Sequence, residues 1–178
     1  GLDQPWYVQY WKWISGVLQG DLGVSFEWNK PVRQLIGDRL LLTFIISFST
    51  MILGWALAFP IGIYSAVKQN GPFDNASRVM AVIFNAIPGF WLSLMVLMIF
   101  GVKFKEWGLP YLPTVGKYDL TVGPTVSQVA WHMVLPVASI AIISIAGYTR
   151  YVRSCMIDVI NEDYIRTARA KGLKEKVI

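Results

Sequence analysis

Three long apolar runs without charged side chains divide this chain, and polar segments separate them. The first run, residues 40–67, holds 28 residues and no charge. A helix rises about 1.5 Å per residue, so this run is longer than a hydrocarbon core of about 30 Å. Residues 79–102 and 131–149 form two further runs, separated by a Gly- and Pro-rich segment at 103–130. The pattern predicts three transmembrane helices within residues 40–153.

Small and helix-breaking residues modify the first run. Pro60 and Gly62 permit either a kink or close packing against a neighbour. Gly54 and Ala58 have the spacing of a helix–helix contact, although such pairs are common by chance. A link at 68–78 contains Asn-Gly-Pro, and we expect it to turn the chain between the first two spans.

The polar and aromatic segment at residues 1–39 is expected outside the bilayer. Apolar side chains recur at helical spacing between Pro5 and Leu18, and this stretch holds Trp6, Trp11 and Trp13. Because Trp favours the headgroup level, an interfacial helix is favoured over a soluble one. Gly20-Asp21-Leu22-Gly23 predicts its end, and Pro31 predicts the start of the next helix.

The polar stretch after the third run has the signals of a short helix. Asn161 can cap the first free amides, and Glu162 and Asp163 suit the positive end of the helix dipole. Glu162 and Arg166 are spaced for an ion pair with the acid first, which is the favourable order. Gly172 can adopt the left-handed conformation that ends a helix. On these signals alone the helix could equally be a solvated tail.

The distribution of charge predicts the orientation. Seven of the sixteen Lys and Arg residues follow residue 149, against four of the eleven acids, so this tail contributes +3 of the net +5. Positive segments stay in the cytoplasm, which places residues 154–178 and the 68–78 link inside, and residues 1–39 and 103–130 outside. The basic residues do not form one surface, so we expect no nucleic-acid partner.

Catalytic and metal chemistry is not indicated. His132 is the single histidine, at the head of the third run, where an interfacial role is expected rather than a general base. Cys155 is the single cysteine, and no His, Cys or carboxylate cluster has metal-ligand spacing. The predicted spans hold no charged residue. A transporter coupled to protons or ions usually keeps a carboxylate or base along its path, which argues against a secondary transporter or membrane-embedded enzyme. A purely structural membrane anchor is a further alternative.

Asn85 and Pro88 interrupt the second run and are the candidate residues of a translocation path. A helix broken at Pro88 can turn backbone polar groups toward a water-filled pathway. The alternative for Asn85 is a hydrogen bond between helices.

The segment from Arg166 to Gly172 resembles the cytoplasmic coupling loop of importer permeases of the ATP-binding-cassette class. That loop has the pattern Glu-Ala-Ala, three residues, Gly; Ala168 and Gly172 match it, while Arg166 and Thr167 replace the usual Glu and Ala. Asp163 to Leu173 is similar to the Asp-Tyr-Ile-x-Thr-Ala-x-Ala-Lys-Gly-Leu pattern of the dipeptide and oligopeptide branch. The N-terminal stretches similar to the first extracellular loop of that branch are Gly1–Pro5, Tyr7–Tyr10, Gly20–Ser25 and Pro31-Val32.

The resemblance implies an all-α membrane protein, a multi-pass helical bundle of the type I importer permease kind. The whole subunit would have six spans, of which this chain would hold the second to the fourth, with segments missing before Gly1 and after Ile178. Residues 154–178 would be a truncated coupling loop. The ATPase-coupling residues implied are Glu162, Asp163, Tyr164, Arg166, Thr167, Ala168, Arg169, Lys171 and Gly172.

The same resemblance implies partners in the inner or plasma membrane of a prokaryotic cell. These are a second permease subunit, two ATP-binding-cassette subunits that hold ATP and Mg²⁺, and an extracellular solute-binding protein. This chain itself would bind no cofactor and would not be an enzyme. Peptides are the expected substrate, with oligosaccharides and nickel as alternatives.

Overall fold

The computed structural model describes residues 3–175 and 177–178, so Gly1 and Leu2 of the N-terminal motif lie outside the described residues, as does Lys176. The described residues form helices and no strand, apart from one isolated bridge between Val24 and Pro31. The helices are α1 Trp6–Leu18, α2 Val32–Val67, α3 Pro72–Ala86, α4 Gly89–Leu97, a π-helical segment Met98–Lys103, α5 Phe104–Glu106, α6 Val126–Ile160 and α7 Asp163–Ala170. The expected all-α membrane fold is confirmed, since two helices are long and apolar enough to span a bilayer.

The chain divides into two compact units, residues 1–45 and 46–178. In the first unit, the predicted N-terminal helix is present as α1, and its three Trp side chains are all exposed. Gly20 and Gly23 follow it with positive φ angles of 83° and 76°, as the predicted break requires. Helix α2 begins directly after Pro31, as predicted.

In the second unit, small residues of α2 pack against α6. Gly54, Ala58 and Gly62 recur every four residues along α2, and all three are buried. A Cβ atom at Gly62 would lie 2.9 Å from Cβ of Val152 and 3.0 Å from the carbonyl oxygen of Thr149. A side chain at Gly62 would therefore force atoms of α6 to shift. At Gly54, a Cβ atom would lie 3.8 Å from Cβ of Ser144 in α6, so the helix contact predicted there is present.

The link between α2 and α3 is shorter than the predicted 68–78. Helix α3 already begins at Pro72, which occupies the first turn, so only residues 68–71 connect the two helices. Proline suits this position because its fixed φ angle is helical and its missing N–H would have no partner there. Asn70 takes a φ angle of +61° within the turn.

The predicted second span, 79–102, is not one straight helix. Helices α3 and α4 break at Ile87 and Pro88, and the two arms are bent by 100°. The helical arm that starts at Gly89 continues through the π-helical segment and α5 to Glu106. The break lies where the sequence predicted an interruption, and the second arm ends later than predicted.

Helix α6 is longer at both ends than the predicted third span, 131–149. It begins at Val126, where the Thr125 hydroxyl accepts a hydrogen bond from the backbone N–H of Gln128 at 3.4 Å. It continues through Arg150 and Arg153 to Ile160, so these arginines do not end the helix. Arginine is a good helix former, and an apolar run can therefore end well before its helix does.

Candidate functional site

The predicted coupling helix is present as α7 and follows α6 after only two residues. The first of these, Asn161, does not cap α7 as predicted: its backbone N–H and its Nδ2 atom both donate to the carbonyl oxygen of Ile157, at 3.3 and 2.9 Å. Asn161 therefore ends α6. Glu162 occupies the N-cap position of α7 with extended backbone angles and no side-chain cap hydrogen bond.

The first turn of α7 contains an acidic residue, Asp163, as the sequence predicted, but the ion pair there is not the predicted one. Asp163 lies in the first turn, and its Oδ1 atom is 3.6 Å from Nη1 of Arg166. The predicted pair between Glu162 and Arg166 is therefore replaced by one with Asp163. Both side chains are more than three-quarters exposed, so this pair contributes little stability.

The end of α7 agrees with the prediction. Gly172 has a φ angle of +78°, and the N–H of Leu173 donates to the carbonyl oxygen of Ala168 at 3.3 Å. Beyond this turn, Nε of Arg169 donates to Oε1 of Glu175 at 2.8 Å. This carboxylate raises the pKa of the Arg169 guanidinium above its ordinary value.

The two faces of α7 differ. Ile165 and Ala168 are half-buried, whereas no residue of the helix is fully buried. Tyr164 is 61% exposed, and the helix's basic side chains also lie in solvent. Such a face, aromatic and basic, has the composition of residues that anchor protein–protein interfaces.

A buried ion pair, which the sequence did not predict, joins the end of α2 and the start of α3 to α6. Asp74, in the first turn of α3, is 0% exposed. Its Oδ1 atom accepts hydrogen bonds from Nε of Arg153 at 2.6 Å and from Oγ of Ser65 at 2.5 Å. Its Oδ2 atom accepts from Nη2 of Arg153 at 2.8 Å and from the backbone N–H of Asn70 at 2.9 Å. Four donors thus satisfy one buried carboxylate.

The three residues that supply these four donors come from different parts of the fold. Ser65 belongs to the last turn of α2, Asn70 to the connecting turn and Arg153 to α6. The hydroxyl groups of Ser65 and Ser77 are 2.9 Å apart, which extends the network along α3. The side chain of Arg153 is 17% exposed. The network therefore ties the α2–α3 corner to α6.

The two candidate path residues lie on either side of the end of α3 at Ala86. Asn85 is exposed and its Nδ2 atom donates to the carbonyl oxygen of Ala81 at 2.7 Å, so its hydrogen bond is within α3 and not between helices. Pro88 is the exposed N-cap residue of α4. A cavity of about 350 Å³ has a mainly apolar lining that also includes the polar side chains of Ser93, His132 and Ser139. Asn85 and Pro88 do not line it.

A comparison with protein families gives a match over residues 58–178 to the binding-protein-dependent transport system inner membrane component. The chain belongs to this family. The matched residues include the α2–α3 corner, all of α6 and the coupling helix. The predicted resemblance to importer permeases is thereby confirmed, as is location in a membrane.

Curated relatives of this permease family are similar over nearly the whole chain. The oligopeptide transport system permease protein AppB of Bacillus subtilis is 39% identical over 98% of the chain and 54% of the relative. The probable D,D-dipeptide transport system permease protein DdpB of Escherichia coli is 34% identical over 97% of the chain and 55% of the relative. A glutathione transport system permease protein, GsiC of Salmonella paratyphi A, is 38% identical over 98% of the chain and 52% of the relative. The chain spans about half the length of these relatives.

Proposed function

We propose that this permease chain forms part of an ATP-driven importer and that α7 is the site where the cytoplasmic ATPase binds. The observation that carries the proposal is the geometry of α7. It is a separate helix of eight residues with exposed aromatic and basic side chains, joined by a two-residue turn to a membrane-length helix. A rigid helix at this place can transmit force, whereas a flexible tail cannot.

The assembly in this proposal follows from the family. Two cytoplasmic ATPase subunits hold ATP and Mg²⁺, a second permease subunit completes the translocation path, and an external solute-binding protein delivers the substrate. Hydrolysis in the ATPase shifts the permease between outward- and inward-facing states, an equilibrium that nucleotide biases. The excess of basic residues after residue 149 supports a cytoplasmic position for α7.

Peptides are the proposed substrate. The support is that the named relatives are permease proteins for oligopeptides, D,D-dipeptides and glutathione, which are all peptides. Uptake of a labelled peptide into proteoliposomes, with the cognate binding protein added, tests this class. Uptake of nickel or an oligosaccharide in place of peptide would contradict it. Uptake of peptide without ATP would instead support a secondary transporter.

Charge reversal on α7 tests the docking site. In the full-length subunit co-expressed with its partners, we expect Arg166→Glu and Arg169→Glu each to lower capture of the ATPase by roughly ten-fold or more. The fold tolerates the first change because the Asp163–Arg166 pair is exposed. Lys117→Glu, a reversal at an exposed residue of the loop before α6, is the matched control. Capture that is unchanged by both α7 reversals would refute docking at α7.

A further inference from the structure

Arg153, one partner of the ion pair with Asp74, lies close to α7 along the chain. Arg153 precedes Ile160, the last residue of α6, by seven residues, which is about 10 Å of helix. The two-residue turn to α7 follows at once. In this turn the N–H of Glu162 donates to the carbonyl oxygen of Val159 at 3.1 Å. Backbone hydrogen bonds to α6 therefore continue as far as Glu162, the N-cap residue of α7, where the backbone becomes extended.

On its other side, the pair holds the start of α3 in a fixed register on α6. The guanidinium of Arg153 forms two nearly parallel bonds, of 2.6 and 2.8 Å, with the two oxygens of Asp74. This fork geometry permits one relative orientation, whereas apolar contact is not directional. Ser65 and the N–H of Asn70 occupy the remaining acceptor positions, so the carboxylate cannot turn without losing hydrogen bonds.

The contact beside the pair adds steric restriction. Val152, the residue before Arg153, touches α2 at Gly62. Helix α6 is thus fixed at neighbouring positions by an ion pair to α3 and by close backbone packing to α2. A displacement of the α6 end has to carry the α2–α3 corner with it or break the pair.

We propose that Asp74 and Arg153 are a positioning pair that transmits movement of α7 to the α2–α3 corner during ATP-driven transport. This inference rests on the proposed docking of the ATPase on α7. The two residues touch neither ATP nor substrate in this role. They fix the position of α3 on α6, through which force reaches the membrane helices. Their loss is therefore expected to uncouple ATP hydrolysis from transport.

Apolar replacement of both partners distinguishes positioning from simple stabilisation. The full-length subunit carrying Asp74→Leu and Arg153→Met is assembled with its ATPase, second permease subunit and binding protein in liposomes. Replacing a buried ion pair with apolar residues often preserves stability, so assembly is expected to remain at the level of the unaltered protein. The amount of substrate transported per ATP hydrolysed is expected to fall by roughly two- to thirty-fold.

Two single variants extend the test. Arg153→Lys keeps the positive charge and loses the pair of parallel hydrogen bonds that the guanidinium forms with Asp74. We expect capture of the ATPase to be retained and transport per ATP to fall, though less than in the double variant. Arg150→Met is the matched control, because Arg150 is an exposed arginine on the same helix one turn away. Its transport per ATP is expected to equal that of the unaltered subunit.

The outcomes separate this inference from the proposed function. If the double variant assembles and transports the unaltered amount of substrate per ATP, the positioning role is refuted while docking on α7 stands. If the double variant does not assemble, then an unaltered amount of substrate transported per ATP in Arg153→Lys refutes the positioning role. If the unaltered subunit captures no ATPase, the proposed function fails and this inference fails with it.

Discussion

Removing Arg153 alone is expected to be among the most destabilising single substitutions in the described part of this chain. In Arg153→Met the Asp74 carboxylate, 0% exposed, keeps only two of its four donors, the hydroxyl of Ser65 and the N–H of Asn70. Breaking a buried pair by removing one partner costs about 3–5 kcal/mol. Asp74→Leu leaves the guanidinium of Arg153 unpaired at 17% exposure and is expected to cost a similar amount.

The double variant decides whether the ion pair is the cause. Two independent losses of this size would sum to about 6–10 kcal/mol, whereas an apolar pair of similar volume is expected to cost no more than about 2 kcal/mol. The free energy of unfolding can be measured by titrating the full-length subunit with sodium dodecyl sulfate in mixed micelles and following Trp fluorescence. Additive losses in the double variant would refute the reasoning, because they would show that the two side chains act through other contacts.

Three further predictions concern packing, topology and helix capping. Gly62→Ala is expected to lower the midpoint of thermal unfolding in detergent by an amount equivalent to about 1–3 kcal/mol, whereas Gly147→Ala, with open space around its Cβ position, is expected to be neutral or stabilising. Equal effects would contradict the close contact at Gly62. A thiol reagent that does not cross membranes is expected to label Thr167→Cys only from the cytoplasmic side and Lys117→Cys only from the outside; labelling of both from one side would contradict the orientation. Thr125→Ala is expected to cost about 1 kcal/mol by the same unfolding measurement, and no loss would show that the 3.4 Å bond does not cap α6.

Much of the fold follows from apolar run length and local helix signals. The runs predict α2 and α6 because an uninterrupted apolar run of about 20 residues can satisfy all its backbone hydrogen bonds in lipid as a single helix. The boundaries were less accurate, because charge ends an apolar run and does not end a helix. Arg150 and Arg153 show this directly, since α6 passes through both to Ile160. The 100° bend after α3 was predicted only as an interruption, because Pro88 marks a break without giving its angle.

Helix α7 was predictable because its signals are local, and the ion pair was not because its partners are 79 residues apart. Asp74 was assigned to a loop, where an acid needs no partner. Two features of the sequence would have pointed to it: Pro72 is suited to start a helix two residues earlier, and Arg153 follows an apolar run that is predicted to end on the same side of the bilayer. A carboxylate in a first helical turn near such an arginine is a candidate for pairing.

The length of α6 determines how far its C-terminal end can extend beyond the lipid bilayer. Its 35 residues extend about 52 Å, or about 49 Å along the bilayer normal at a tilt of 20°. A bilayer including its headgroups is only about 40–45 Å thick. The excess, roughly one to two helical turns, can lift α7 above the headgroup layer. A water-soluble protein could then bind α7 without displacing lipid and without dehydrating the phosphates of the lipid headgroups.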